Sequence, residues 1–160
     1  MTADEFLRSV RTARLEQARC EARLTALSAQ TQRLTAAYGA MPPGGGSDRH
    51  RDDAMIAVAD QVDALLAASA RYLRQIERVE RFIGLLPDAR HRTVLRLRYV
   101  DGLSWTKVYD AMEQYGLYYS DRAVRYLHRD ALAEARRRFD AWAARHPEAL
   151  PGNEDEEDEE

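Results

Sequence analysis

The sequence predicts an all-α protein, a long antiparallel coiled-coil hairpin followed by a short helical domain. Three observations predict it. Residues 3–38 contain neither Gly nor Pro, the residues that most readily interrupt a helix. Apolar residues recur every seven positions through two long segments, the signature of helices packed along a seam. Beyond Pro87, three short segments each begin behind an Asp or a Ser and carry apolar residues at helical spacing.

In the first long helix one row is Val10, Gln17, Leu24, Thr31 and Tyr38, and the other is Phe6, Ala13, Cys20, Leu27 and Leu34. The second helix carries Met55, Val62, Ser69, Ile76 and Ile83 in one row and Val58, Leu65, Tyr72, Val79 and Leu86 in the other. Between them lies YGAMPPGGGSDRHRDD. Gly39 stops the first helix, Pro42 and Pro43 cannot continue it, three glycines permit a reversal, and Asp52 or Asp53 caps the second. Helices of roughly 33–36 residues, ~50 Å each, joined by such a loop predict an antiparallel hairpin over 1–86 with its loop at about 39–53. Two helices alone bury only one seam, so the hairpin is expected to self-associate into a homo-oligomer.

The formal net charge of −3 conceals segregation. Residues 1–86 hold 12 Arg against 11 acids, residues 87–146 hold 12 Lys/Arg against 8 acids, and residues 147–160 hold 8 acids and no base. A basic segment beside an acidic tail is a pattern expected where nucleic acid is a partner. The tail, GNEDEEDEE, reads as disordered. A single cysteine, Cys20, excludes an intramolecular disulfide and reads as a small seam residue. No apolar run is long enough to span a membrane, and MTADEFLRSV has acids where a secretion signal has bases. A soluble, cytoplasmic protein is expected.

In the second half, Pro87 ends the coiled coil and Asp88 caps a helix over ARHRTVLRLRYV, with Val94, Leu95 and Tyr99 on one face and Gly102 as its stop. Ser104 caps WTKVYDAM, where Trp105, Val108 and Met112 share one face at i, i+3, i+7. After the turn EQYGLYY, Ser120 caps a long final helix from Asp121. Short helix, turn and capped second helix make the helix-turn-helix layout. Val124, Leu127, Ala131 and Ala135 form the inward stripe of the last helix, and Phe139 and Trp142 extend it. Arg122, Arg125, Tyr126 and Arg129 share another face. Arginine can bond a guanine edge at two points and tyrosine can bond phosphate or pack on bases, so these four are the candidate DNA contacts, with Ser120 as the cap that positions them. Lys107, the only lysine, joins them from the preceding helix, and Arg136 and Arg137 are candidate phosphate contacts.

The stretch LPDARHRTVLRLRYVDGLSWTKVYDAM followed by YSDRAVRYLHRDAL resembles region 4 of sigma-70-type factors, in the order of its Gly-Leu-Ser turn, serine cap and apolar stripe. Over nearly the whole chain the sequence is similar to phage and mobile-element regulators of the ArpU and RinA type, with a helical hairpin, a Pro-Gly-rich loop and a sigma-region-4-like end. The resemblance implies promoter-type recognition of double-stranded DNA, with RNA polymerase as a second partner. For base contact it points to Arg122, Arg125, Tyr126 and Arg129. Two departures stand out. Nothing corresponds to the promoter-opening region 2. Seven residues also separate Met112 from Ser120, where the sigma pattern has about two, so the first helix runs on through Tyr115 or the turn is enlarged.

The tripeptide His128-Arg129-Asp130 also occurs in protein-kinase catalytic loops, but Ala135 stands where a kinase needs its metal-binding Asn, and there is neither a DFG nor a Gly-rich phosphate loop. His50, His91, His128 and His146 show no metal-ligand spacing. No catalytic constellation, metal or cofactor is therefore expected. The expected function is sequence-specific, phage-derived transcriptional regulation. A small-terminase-like DNA-packaging component built as a ring, or a protein-interaction module that binds RNA polymerase, are the alternatives.

Overall fold

The computed structural model describes residues 1–39 and 47–150. The expected Pro-Gly reversal and the acidic end of the chain lie largely outside them. The described residues form α1 (Ala3–Gly39), α2 (Ser47–Gly84), α3 (Ala89–Leu95) continued by a π-helical turn (Arg96–Val100), α4 (Trp105–Gln114), α5 (Asp121–Ala143) and a short 3-10 turn (Pro147–Ala149). No strand occurs among them, and the all-α expectation holds.

α1 starts on a reciprocal cap. Glu5 N–H donates to Thr2 Oγ1, and Thr2 N–H donates to the Glu5 carboxylate at 2.7 Å. α1 ends at Gly39, as expected. α2 begins at Ser47, not behind Asp52 or Asp53, which lie inside it. The reason is local: after Gly46 nothing in SDRHRDD opposes a helix. Both helices are therefore longer than the heptad rows alone suggest, 37 and 38 residues.

The described structure divides into two compact units, and the division does not fall at residue 86. One unit is made of the described residues of Leu15–Leu73, the greater part of α1 with most of α2. Here Leu27 sits beside Val58, and Leu34 and Thr35 lie near Met55 and Asp52, so later residues of α1 meet earlier residues of α2 and the two run antiparallel. The heptad rows are the covered positions. Cys20 and Leu27 are buried, and Leu24, Thr31, Val58, Val62, Leu65, Ser69 and Tyr72 are half-buried, while Met55 at the end of its row is exposed. Thr31 meets its hydrogen-bonding need on its own helix, donating to the Leu27 carbonyl at 2.9 Å.

The other unit joins Met1–Arg14 to the described residues from Arg74 onward. Its core explains why residue 86 is not a boundary: Phe6, Leu7 and Val10 of α1 and Val79, Phe82 and Ile83 of α2 pack in one cluster with Val94, Leu95, Val108, Met112, Val124, Ala131, Ala135, Phe139 and Trp142. Phe6, Phe82, Phe139 and Trp142 form a four-ring group with every pair of centroids between 4.9 and 6.1 Å. Gln75, buried beside it, donates to Ser9 Oγ at 2.8 Å. Arg92 Nη1 donates to the carbonyls of Leu86 and Pro87 at 2.6 and 2.9 Å, fixing the bend between α2 and α3.

Candidate nucleic-acid interface

The candidate site is built on α4, the turn after it and the first half of α5. Ser104 and Ser120 cap the two helices as expected, accepting from the backbone N–H of Lys107 and Ala123 at 3.5 and 3.2 Å. α4 runs on to Gln114, so the long stretch before Ser120 gives two residues to the helix and five to the turn. Gly116, at φ 73°, closes α4: its N–H donates to the Glu113 carbonyl and the N–H of Leu117 to that of Met112, while Leu117 and Tyr119 tuck against the core. The turn is enlarged and also pinned.

α5 divides by face. Val124, Ala131, Ala135, Phe139 and Trp142 are buried and Leu127 is half-buried. Arg122, Arg125, Tyr126 and Arg129 are exposed. The structure sorts these four into two groups. Arg122 and Arg129 gather on Tyr126, with guanidinium carbons 5.5 and 4.9 Å from its ring centroid, and Arg122 Nη2 donates to the Tyr126 hydroxyl at 3.0 Å. Arg125 turns toward α4 instead: its Nε donates to the Tyr109 hydroxyl at 3.1 Å, and its guanidinium lies 5.6 Å from the Trp105 ring. Arg98 occupies the same indole at 5.0 Å and donates to the Leu103 carbonyl at 2.7 Å. Sequence reasoning missed Tyr109 and Arg98. The signal for the first was its spacing, one helical turn beyond Trp105.

Of the three residues His128, Arg129 and Asp130, the last two stay together at the surface and the first turns away from them. Arg129 is exposed and paired with Asp130, whereas His128 turns in, its Nε2 3.2 Å from the Tyr99 hydroxyl and its ring edge-on to Trp105 at 4.9 Å. Burial, helped by nearby Arg98, depresses the His128 pKa to about 4.

Lys107 is exposed on α4. The candidate phosphate contacts are already engaged. Arg136 donates to the Asp4 carboxylate at 2.6 Å, tying α5 to α1. Arg137 and Arg138 both hold Glu134, and their hydrogen bonds, Arg137's foremost, lower its pKa to about 2. Phosphate contact by Arg136 or Arg137 requires exchange of a carboxylate partner. Among the described residues, no group of three His, Cys, Asp or Glu side chains could hold a metal ion, and no helix is long and apolar enough to cross a membrane.

A family model described as protein of unknown function (DUF1492) matches residues 39–128, more than half of the chain. The chain belongs to the DUF1492 family. The DUF1492 match takes in α2, α3, α4 and the start of α5 as far as His128, so it includes Trp105, Tyr109, Arg122, Arg125 and Tyr126. Arg129, Arg136, Arg137 and nearly all of α1 lie beyond it. No curated protein and no solved structure matches the chain.

Proposed function

We propose that this protein is a sequence-specific regulator of transcription that binds double-stranded DNA through a sigma-region-4-like helix-turn-helix, acting by binding and not by catalysis. The observation that carries the reading is the arrangement of α5. Its Ser120-capped first half presents Arg122, Arg125, Tyr126 and Arg129 outward, while Val124, Ala131, Ala135, Phe139 and Trp142 lock its back and far end into the core. A helix held rigidly along one side, with three guanidinium groups and a tyrosine on the other, suits the width and the acceptor pattern of a major groove. The basic balance of residues 87–146 supports the reading through the salt-sensitive phosphate term. The stretch from residue 15 to 73, where the two long helices cover only one seam, is the surface for self-association, and RNA polymerase is the protein partner that the sigma-like form suggests.

The test is selection from a pool of random duplexes by the full chain, followed by fluorescence anisotropy on the selected duplex and on a scrambled one across a salt series. Binding that prefers the selected duplex and weakens with salt is expected. Arg125→Ala should lose about 10- to 100-fold on the selected duplex if Arg125 reads a base. Retention of no duplex at low salt refutes the reading.

A further inference from the structure

The three arginines of the candidate interface are held in different ways, and the difference predicts different work. Arg122 and Arg129 lie on the ring of Tyr126, a neighbour on their own helix. Arg125 is held by another helix. Its Nε bonds the Tyr109 hydroxyl, and its guanidinium lies over Trp105, whose ring also carries Arg98, stacks on Tyr109 at 6.4 Å and meets the edge of His128. Trp105 and Tyr109 are half-buried and sit on α4, directly behind the Ser104 cap. With Nε engaged by Tyr109, the two terminal amino groups remain on the free edge of a plane that α4 has already oriented. Two parallel donors in a fixed plane are what bidentate recognition of the guanine O6/N7 edge needs. A flexible arginine loses conformational freedom on making that contact, and one already oriented loses less.

We infer that Arg125 is the base-reading arginine and that Tyr109, with Trp105 beneath it, is the positioning residue that sets sequence preference, while Arg122 and Arg129 serve the DNA backbone. This rests on the DNA-binding reading above. Tyr109 touches no DNA in this scheme; it acts through Arg125 alone. Loss of its hydroxyl therefore lowers discrimination and leaves the phosphate contacts untouched.

Tyr109→Phe keeps the ring and its packing on Trp105 and removes only the hydroxyl. Anisotropy on the selected and the scrambled duplex, at several salt concentrations, compares wild type, Tyr109→Phe, Arg125→Ala and the double variant, with Arg122→Ala as the backbone comparator. Tyr109→Phe should weaken the selected duplex about 3- to 10-fold, the worth of one hydrogen bond, with the scrambled duplex and the salt slope unchanged. In the Arg125→Ala background the same change should have no further effect, because a positioning residue has nothing left to position. Arg122→Ala should weaken both duplexes alike and flatten the salt slope. Equal loss on both duplexes from Tyr109→Phe, a loss that persists without Arg125, or tighter binding from a latch that had to open would each overturn the inference. So would a wild type that binds duplex without preference. A wild type that binds no duplex fails at the first measurement, and the DNA-binding reading falls with it.

Discussion

The two units of the molecule are built from the same two long helices and differ in how deeply they bury them. In the unit from residue 15 to 73, the seam positions of α2 reach only the half-buried state, and Leu15, Ile56 and Leu66 are 52 to 60% exposed. In the other unit, Phe6, Leu7, Val10, Val79 and Ile83, on the ends of these helices, are wholly buried. The seven-residue spacing runs through both, although the rows of the first unit also hold Gln17, Thr31 and Ser69. What changes is the number of helices packed around it: two in the first unit, with α3, α4 and α5 added in the second. Apolar spacing decides which face turns inward. The depth of burial depends on what else arrives to cover it.

The comparison is broken most directly by removing one ring from the second unit and one side chain from the first. Phe82 is 1% exposed and touches three other aromatic rings, so Phe82→Ala should cost about 3–5 kcal/mol in chemical denaturation followed by circular dichroism. Leu65, half-buried on the seam, should cost only about 1–2 kcal/mol when changed to Ala in the same measurement. Equal losses would mean that the seam from residue 15 to 73 is covered in solution, as it would be in a self-associated hairpin. Light scattering on the wild type would then show a mass above that of one chain.

These differences mark what could be read from the residues alone. The seam rows, the caps at Asp88, Ser104 and Ser120, the start of α5 at Asp121 and its inward stripe were all legible, because each depends on residues within a turn or two of one another. The start of α2 at Ser47 was misplaced because good caps at Asp52 and Asp53 compete with a helix that nothing upstream forbids. The packing of residues 1–14 and 74–86 with the C-terminal helices was not legible, since Phe6, Phe82 and Trp142 meet only through the tertiary fold. At the candidate site the sequence identified the outward arginines but not their partners. Tyr109 and Arg125 are brought together by the α4–α5 turn, and Arg136 meets Asp4 from the far end of the chain.

A third effect belongs to the covered unit alone. His128 has a folded pKa near 4 against an ordinary value of 6.5, because burial beside Arg98 disfavours the imidazolium. Below pH 6.5 the unfolded chain takes up a proton that the folded chain refuses. Stability from this group is therefore complete above about pH 6.5 and is lost as the pH falls toward 4. A fully enclosed ring would lose about 3 kcal/mol, and with part of the ring open to water about 1–2 kcal/mol is expected. Denaturation midpoints measured from pH 7 to pH 4.5 should fall more steeply for wild type than for His128→Gln, and parallel profiles would remove His128 as the cause.

The smallest effect separates the stability of α5 from the use of its exposed face. Ser120 Oγ accepts the Ala123 N–H, so Ser120→Ala leaves one N-terminal donor without its side-chain partner and should cost about 1 kcal/mol. The loss is local: Leu117 and Tyr119 still hold the turn against the core, and the rings of Phe139 and Trp142 still hold the far end of the helix. Hydrogen exchange should therefore quicken in the first turn of α5, around Arg122 to Arg125, and stay unchanged beyond Ala131. Faster exchange along the whole helix would mean that its two ends are not independently held. In that case α5 would depend on its cap as the half-covered helices of the first unit depend on their seam, and the contrast between the two units would narrow.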